Sequence, residues 1–192
     1  MTSEAALREL MAGNARFVNN KRIHPNSTVV RLAEVAHGQD PFAILLCCSD
    51  SRTPPEIVFD HGIGDLFIIR TAGNVAGDVA IGSMELAVEE FGVPLIMVMG
   101  HQRCGAIKMA LEGLEIPGHV VSIMDHLQAA VEMSRGLSGD SWDNASQANV
   151  KYIVNHLKDS KPILKRRVLE GKLRIIGAYK WLDTGVVDVI VP

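Results

Sequence analysis

The sequence predicts an α/β fold with a mainly parallel central sheet flanked by helices, and two patterns carry that prediction. The first is a set of short, continuously apolar segments typical of strands buried on both faces, which are 42–48, 66–69, 95–99 and 173–178. The second is a set of intervening segments with helical periodicity, which are 78–91, 104–112, 120–135, 144–157 and 161–169. Strands that alternate with helices indicate a parallel sheet covered by helices.

Further elements are predicted at both ends of this pattern. Apolar residues at helical spacing predict an N-terminal amphipathic helix over 4–18. A short second helix is expected within 29–36, in a stretch that is otherwise irregular. The tail 186–191 predicts a C-terminal edge strand, for which either orientation is open.

The bulk composition is that of a globular protein of single-domain size. The chain has 192 residues, 47% of them hydrophobic, so it is able to bury a sizeable core. We expect one domain over 1–192, with an N-terminal helical arm over 1–40 and an α/β core over 41–192. The formal net charge of -3 argues against nucleic acid as a partner.

Neither a signal peptide nor a membrane span is predicted. The first residues lack the charged-then-apolar pattern of a signal peptide. No apolar run approaches the roughly 18 to 20 residues that cross a bilayer, so we expect no membrane partner and a cytoplasmic location. The chain has only 3 cysteines, too few for a disulfide framework, and near a histidine such cysteines favour metal binding or catalysis.

Reactive residues follow two of the predicted strands. The first strand ends in Cys48-Ser-Asp50-Ser-Arg52, and the third runs into Gly100-His101-Gln-Arg-Cys104-Gly105. In α/β sheets, sites form beyond the carboxyl ends of the strands. If these two strands are neighbours, both clusters lie at one edge of the sheet.

The candidate metal ligands are Cys48, His101 and Cys104. Two thiolates and one imidazole form a tetrahedral set with one open position, which is the arrangement of catalytic zinc. A structural zinc site would close with a fourth cysteine or histidine. Cys47 points to the opposite side of an extended strand, and we interpret it as a buried core thiol.

Asp50 and Arg52 are the candidate catalytic residues. Asp50 lies two residues after Cys48, on the same side of the chain, where it either occupies the fourth metal position or hydrogen-bonds the water there. Arg52 is able to fork onto the Asp50 carboxylate, which would keep that group ionised and draw it away from the metal.

These motifs resemble the signature pair of the β-class carbonic anhydrases. Gly13-Asn14-x-Arg16-Phe17, Arg70-Thr-Ala-Gly73-Asn74 and Gly82-Ser-Met-Glu85-Leu-Ala87 resemble further segments of that family. The resemblance covers roughly residues 7 to 113, with a weaker match over 177–188. It implies reversible hydration of carbon dioxide to bicarbonate and a proton.

The resemblance also assigns the site residues and an assembly. It implies one Zn²⁺ per chain on Cys48, His101 and Cys104, with Asp50 and Arg52 as a catalytic dyad. It further implies a homodimer or higher homo-oligomer in which residues 4–18 dock on a neighbouring subunit.

Other positions bear on the substrate pocket. His61 and Gly105 are the expected pocket residues; relatives carry Gln in place of His61, supplied across the dimer interface. His61 could replace that Gln, shuttle protons, disturb the pocket or simply be a partly buried histidine. Bicarbonate-inhibited relatives carry Trp and Tyr where this chain has Leu45 and Lys180, so we expect no accessory bicarbonate site and an open zinc, although Arg70 remains.

Two other functions stay open at this point. A zinc hydrolase of carbon disulfide or carbonyl sulfide would use the same residues. A non-catalytic zinc-binding module would not need Asp50 and Arg52. Zinc itself is an inference, because sulfur ligands accept other soft or borderline ions. Trp142 and Trp181 are interpreted as packing residues.

Overall fold

A computed structural model describes residues 1–114 and 116–192, and its centre is a five-stranded sheet. The strands are β1 Ala43–Cys48, β2 Leu66–Thr71, β3 Leu95–His101, β4 Arg174–Lys180 and β5 Val187–Val191. The helices are α1 Ser3–Val18, α2 Val29–Glu34, α3 Pro55–Val58, α4 Asp78–Glu90, α5 Gly105–Glu112, α6 Val120–Ser134, α7 Ser141–Asp159 and α8 Ile163–Leu169. A 3₁₀ turn, Ala72–Asn74, follows β2.

The strand order is β2-β1-β3-β4-β5, and only the last pair is antiparallel. The predicted α/β fold with a mainly parallel sheet and a C-terminal edge strand is therefore confirmed. The strands β1 and β3 are direct neighbours, with Cys47 opposite Met99. Their carboxyl ends consequently bring the two reactive clusters together.

The two faces of the sheet have separate apolar cores. Alternate residues of β1 point to opposite faces, so Ile44 and Leu46 pack beneath α4, α7 and α8, whereas Leu45 and Cys47 face α1. Every residue of β1 and β3 is buried, which explains why β1, and β3 as far as His101, are apolar.

The α1 helix packs on the sheet of its own chain. Ala6 and Leu10 are fully buried in the same core as Cys47, and the Asn14 amide donates hydrogen bonds to the carbonyls of Val58 and Gly185. One face of this helix is thus buried within its own chain, and the docking of residues 4–18 on a neighbouring subunit stays a prediction.

The α7 helix lies unusually close to the sheet. A Cβ at Gly100 would lie 2.6 Å from the Val150 side chain, so only glycine permits this approach. The result is a tight contact between α7 and the ends of β3 and β4. Among the residues described, no helix combines the length and apolar character that a membrane crossing requires.

Candidate metal centre and active site

Three potential metal ligands converge where β1 and β3 end. Cys48 is the last residue of β1, His101 is the last of β3, and Cys104 immediately precedes α5. All three are buried, and one ligand atom from each lies within 4.8 Å of the others. The two sulfur atoms are 3.9 Å apart and form no disulfide.

The imidazole of His101 is oriented for coordination. Its Nδ1 lies 2.9 Å from the carbonyl oxygen of Gln102, so the proton is assigned to Nδ1 and the lone pair to Nε2. Nε2 is buried and has no hydrogen-bond partner among the described residues. A buried nitrogen of this kind is costly to leave unpaired, and a metal ion between it and the two sulfurs removes that cost.

The two neighbouring sulfurs shift each other's pKa in opposite directions. The hydrogen-bonding contact with Cys104 lowers the pKa of Cys48, despite burial. The same hydrogen bond raises the pKa of Cys104, together with burial and the negative charge on Cys48. Two buried sulfurs that resist joint ionisation, beside the unpaired Nε2 of His101, form a donor set that a divalent cation would satisfy.

Asp50 and Arg52 form the predicted fork beside these ligands. Nε of Arg52 donates to Oδ1 of Asp50 at 2.9 Å, and Nη2 donates to Oδ2 at 2.7 Å. The hydrogen bond from Arg52 holds the pKa of the Asp50 carboxyl well below its usual range. Oδ2 lies 4.0 Å from Nε2 of His101, so the carboxylate faces the edge of the candidate metal centre.

Arg70 fixes the loop that carries Asp50. Its Nε donates to the carbonyl of Cys48 at 3.1 Å, and its Nη2 donates to the carbonyl of Asp50 at 2.7 Å. The hydroxyl of Thr53 donates to the same Asp50 carbonyl at 3.0 Å. The backbone at Asp50 is therefore held from two sides.

Cys47, Gly105 and His61 occupy three different environments. The side chain of Cys47 lies on the far side of β1, where burial raises the pKa of its thiol to about 12. Gly105 begins α5 beside Cys104, and the space where a Cβ would lie is open. His61 packs edge-on against Phe42, 3.8 Å from a carboxylate oxygen of Glu9, and belongs to the surroundings of α1.

Lys180 and Leu45, the two positions compared above with bicarbonate-inhibited relatives, are both buried. Lys180 is buried, and its ammonium donates to the carbonyl of Arg52 at 3.4 Å. Burial, reinforced by the charge of Arg52, lowers the pKa of Lys180. Leu45 is completely buried in the core beneath α1.

Two hydrogen bonds that the sequence does not predict reach the site from α7. The indole N–H of Trp142, interpreted above as a packing residue, donates to the carbonyl of Cys104 at 2.6 Å. The amide of Asn149 donates to the carbonyl of Gly73 at 2.8 Å, and the Gly73 N–H points to the sulfur of Cys48 at 3.4 Å. No local motif marks these residues, because each contact joins distant parts of the chain.

Comparison with known proteins places this site in a family. The sequence model described as "Carbonic anhydrase" matches residues 43–187. The chain is 37% identical over 185 residues to carbonic anhydrase 2 of Mycobacterium tuberculosis, an alignment that covers 94% of this chain and 89% of that protein. It is 35% identical over 189 residues to the carbonic anhydrase of Mycolicibacterium smegmatis, which covers 96% and 92%.

Solved structures agree with these sequence relatives. The β-carbonic anhydrase CcaA has a TM-score of 0.75 and 26% identity, and the match covers 97% of this chain and 99% of that one. The β-carbonic anhydrase CafA of Aspergillus fumigatus also has a TM-score of 0.75 and 26% identity, with 97% and 89% covered. The chain therefore belongs to the β class of the carbonic anhydrase family.

Proposed function

We propose that this protein catalyses the zinc-dependent, reversible hydration of carbon dioxide to bicarbonate and a proton. The observation that carries the proposal is the convergence of Cys48, His101 and Cys104 with an intact Asp50–Arg52 fork at the same strand ends. Family membership along most of the chain supports it. A zinc-binding module without turnover has no use for the fork.

One Zn²⁺ per chain fits the donor set. The unpaired Nε2 of His101 and the two buried sulfurs supply three ligands of the type zinc prefers. When bound, zinc supplies the Lewis acidity that makes a water molecule lose a proton near neutral pH. Because the fork engages both oxygens of Asp50, we assign the fourth position to solvent or substrate and leave Asp50 outside the ligand set.

The Asp50 carboxylate acts as a hydrogen-bond acceptor that orients the attacking water. Its pKa is held far below neutrality by Arg52, so it is too weak a base to remove a proton at pH 7. Arg52 in turn is fixed by donation to the carbonyl of Arg103 at 3.1 Å. The space beside Gly105 and the side chain of His61 complete the proposed substrate pocket, the latter across a subunit interface.

Stopped-flow hydration of carbon dioxide, with zinc content measured on the same sample, tests the proposal. We expect turnover that scales with about one zinc per chain and is lost in Cys104→Ser. Asp183→Asn is a suitable control, because this exposed carboxylate pairs with Arg103 outside the ligand set. Zinc-loaded protein without hydration activity would refute the proposal. Turnover of carbon disulfide or carbonyl sulfide by that protein would instead favour the sulfur-analogue hydrolase.

The protein is proposed to be a cytoplasmic single-domain chain, 1–192, that assembles as a homodimer or larger homo-oligomer. Exposed apolar side chains on α2 support self-association, since Val29 and Val30 are 82% and 69% exposed in the isolated chain. Light scattering after size exclusion tests the assembly. A strictly monomeric protein with full activity would contradict the proposed role of His61 across an interface.

A further inference from the structure

One polar face of α7 reaches both cysteine ligands. Trp142 and Asn149 are seven residues apart, which is close to two helical turns, so they lie on the same face of α7. The Trp142 side chain donates a hydrogen bond to the carbonyl of Cys104. The Asn149 side chain donates one to the carbonyl of Gly73, whose own N–H points at the sulfur of Cys48. The rest of this face packs on the sheet.

Asn149 acts on the Cys48 side through the peptide of Gly73. It is fully buried, and its Nδ2 donates to the Gly73 carbonyl. Its Oδ1 has no hydrogen-bond partner among the described residues. Among those residues, the Asn149 side chain therefore hydrogen-bonds through Nδ2, to the carbonyl of Gly73. Gly73 has a left-handed backbone with φ 67°, and in this conformation its N–H points at the Cys48 sulfur.

Trp142 acts on the Cys104 side through that residue's own carbonyl. The same carbonyl accepts the N–H of Lys108 at 3.0 Å, the first helical bond of α5. The Lys108 ammonium lies 5.8 Å from the centre of the Trp142 ring. The indole therefore fixes the start of α5, where Cys104 leaves the sheet edge.

The α7 helix is itself held rigidly against the strands that carry the site. Val150 fits against Gly100, the residue before His101. The phenol of Tyr179, on β4, donates to the Asp143 carboxylate at 2.7 Å. A side chain on α7 consequently has a defined position relative to the ends of β3 and β4.

We propose that α7 is a positioning element for both cysteine ligands, with Asn149 aligning the Gly73 N–H on the Cys48 sulfur and Trp142 fixing Cys104. This inference rests on the proposed zinc function. An N–H that points at a thiolate withdraws charge from the sulfur and fixes its direction. Outer partners of metal ligands typically change metal affinity or activity by about 10- to 100-fold when they are removed.

Three variants isolate this role. Asn149→Leu keeps the side-chain volume and removes the donor, and Trp142→Phe keeps an aromatic ring and removes the indole N–H. Ser146→Ala is the matched control, because Ser146 is buried on α7 between the two and its Oγ has no hydrogen-bond partner among the described residues. For each protein, Zn²⁺ affinity is measured against a chromophoric chelator, and the thiolate-to-metal absorption band is recorded with Co²⁺ in place of zinc.

We expect Asn149→Leu and Trp142→Phe each to weaken Zn²⁺ binding at least about 10-fold, with Ser146→Ala close to wild type. Asn149→Leu should also move the charge-transfer band to longer wavelength, because a thiolate without its N–H donor is more electron-rich. Urea unfolding of the zinc-free proteins separates a general loss of stability from these changes. Should Asn149→Leu fail to fold, Asn149→Ser provides the same comparison with a shorter side chain.

Three results would overturn the inference. Affinities and spectra of both variants that match Ser146→Ala would show that α7 only packs against the site, while the proposed function would survive. Wild-type protein that binds neither Zn²⁺ nor Co²⁺ would overturn the proposed function and this inference together. If the variants instead lost Zn²⁺ affinity in proportion to their loss of stability, and the charge-transfer band did not move, Asn149 and Trp142 would have a purely structural role.

Discussion

Replacement of Arg52 separates the catalytic use of the Asp50–Arg52 fork from its contribution to stability. The side chain of Arg52 is 51% exposed and that of Asp50 is 17% exposed, so solvent screens the pair. An exposed ion pair contributes about 0–1 kcal/mol to folding, and we expect Arg52→Lys or Arg52→Ala to cost no more than that.

The expected effect on catalysis is larger. Arg52 donates to both oxygens of Asp50 and also to the carbonyl of Arg103, so its removal frees the carboxylate to rotate. Loss of one preorganised polar group in an active site typically costs about 10²–10³ in kcat. Arg52→Lys retains the charge but not the two-point geometry, so we expect it to lose activity nearly as strongly as Arg52→Ala.

The assay combines stopped-flow kcat/KM, zinc content and urea unfolding on the same preparations. The expected result is full zinc occupancy, a small change in the urea midpoint and a large loss of kcat/KM. If Arg52→Lys kept kcat/KM within about twofold of wild type, the geometry of the fork would not matter and the reasoning would be wrong.

Three further predictions concern stability and metal binding. Asp60 is buried and accepts hydrogen bonds from Arg16 and two backbone N–H groups. Burial opposes the ionisation of Asp60, but these hydrogen bonds outweigh burial and hold its pKa below the usual range. The ionised carboxylate therefore stabilises the fold above about pH 4, and this stabilisation is lost as the pH falls further. Asp60→Asn should therefore cost about 3 kcal/mol in urea unfolding at pH 7, and less at acid pH, whereas Asp159→Asn on the surface should cost about 0–1 kcal/mol. Gly73→Ala should lower the free energy of unfolding more than Gly92→Ala does, and it should also weaken zinc binding. Both glycines have a left-handed backbone, but of the two only Gly73 has neighbours that a Cβ would meet, the side chains of Ala106 and Leu127 at 3.2–3.3 Å. Added zinc should raise the Tm of wild-type protein and leave that of Cys104→Ser nearly unchanged, as seen by differential scanning calorimetry.

The sequence predicted the parts of the fold that depend on local apolar patterns. The strands β1 and β3 are fully buried, and such strands appear as uninterrupted apolar runs. The short helix α3, Pro55–Val58, was missed because four residues that begin with proline carry no helical period. The 3₁₀ turn Ala72–Asn74 was also missed, since it depends on the left-handed Gly73 and on its neighbours in space.

The metal ligands were predictable for a different reason from the fold. Cys48 and His101 end adjacent parallel strands, and the chemistry of their side chains is visible in the sequence. Trp142 and Asn149 were not predictable, because their partners lie 38 and 76 residues away in the chain. Such contacts are set by how closely α7 packs on the sheet, which no residue pattern within α7 specifies.

The protonation states at the site determine how the reaction loses its proton. Asp50 stays ionised as long as Arg52 holds it, and Nδ1 of His101 is committed to the Gln102 carbonyl. The Asp50 carboxylate is therefore not a group that takes up and releases a proton near neutral pH. The proton must pass to solvent, so we expect the turnover rate at pH 7.5 to rise with the concentration of an imidazole-type buffer and then level off, while kcat/KM stays constant. A turnover rate independent of buffer concentration would show that a side chain of the protein carries the proton, and His61 would be the first to replace.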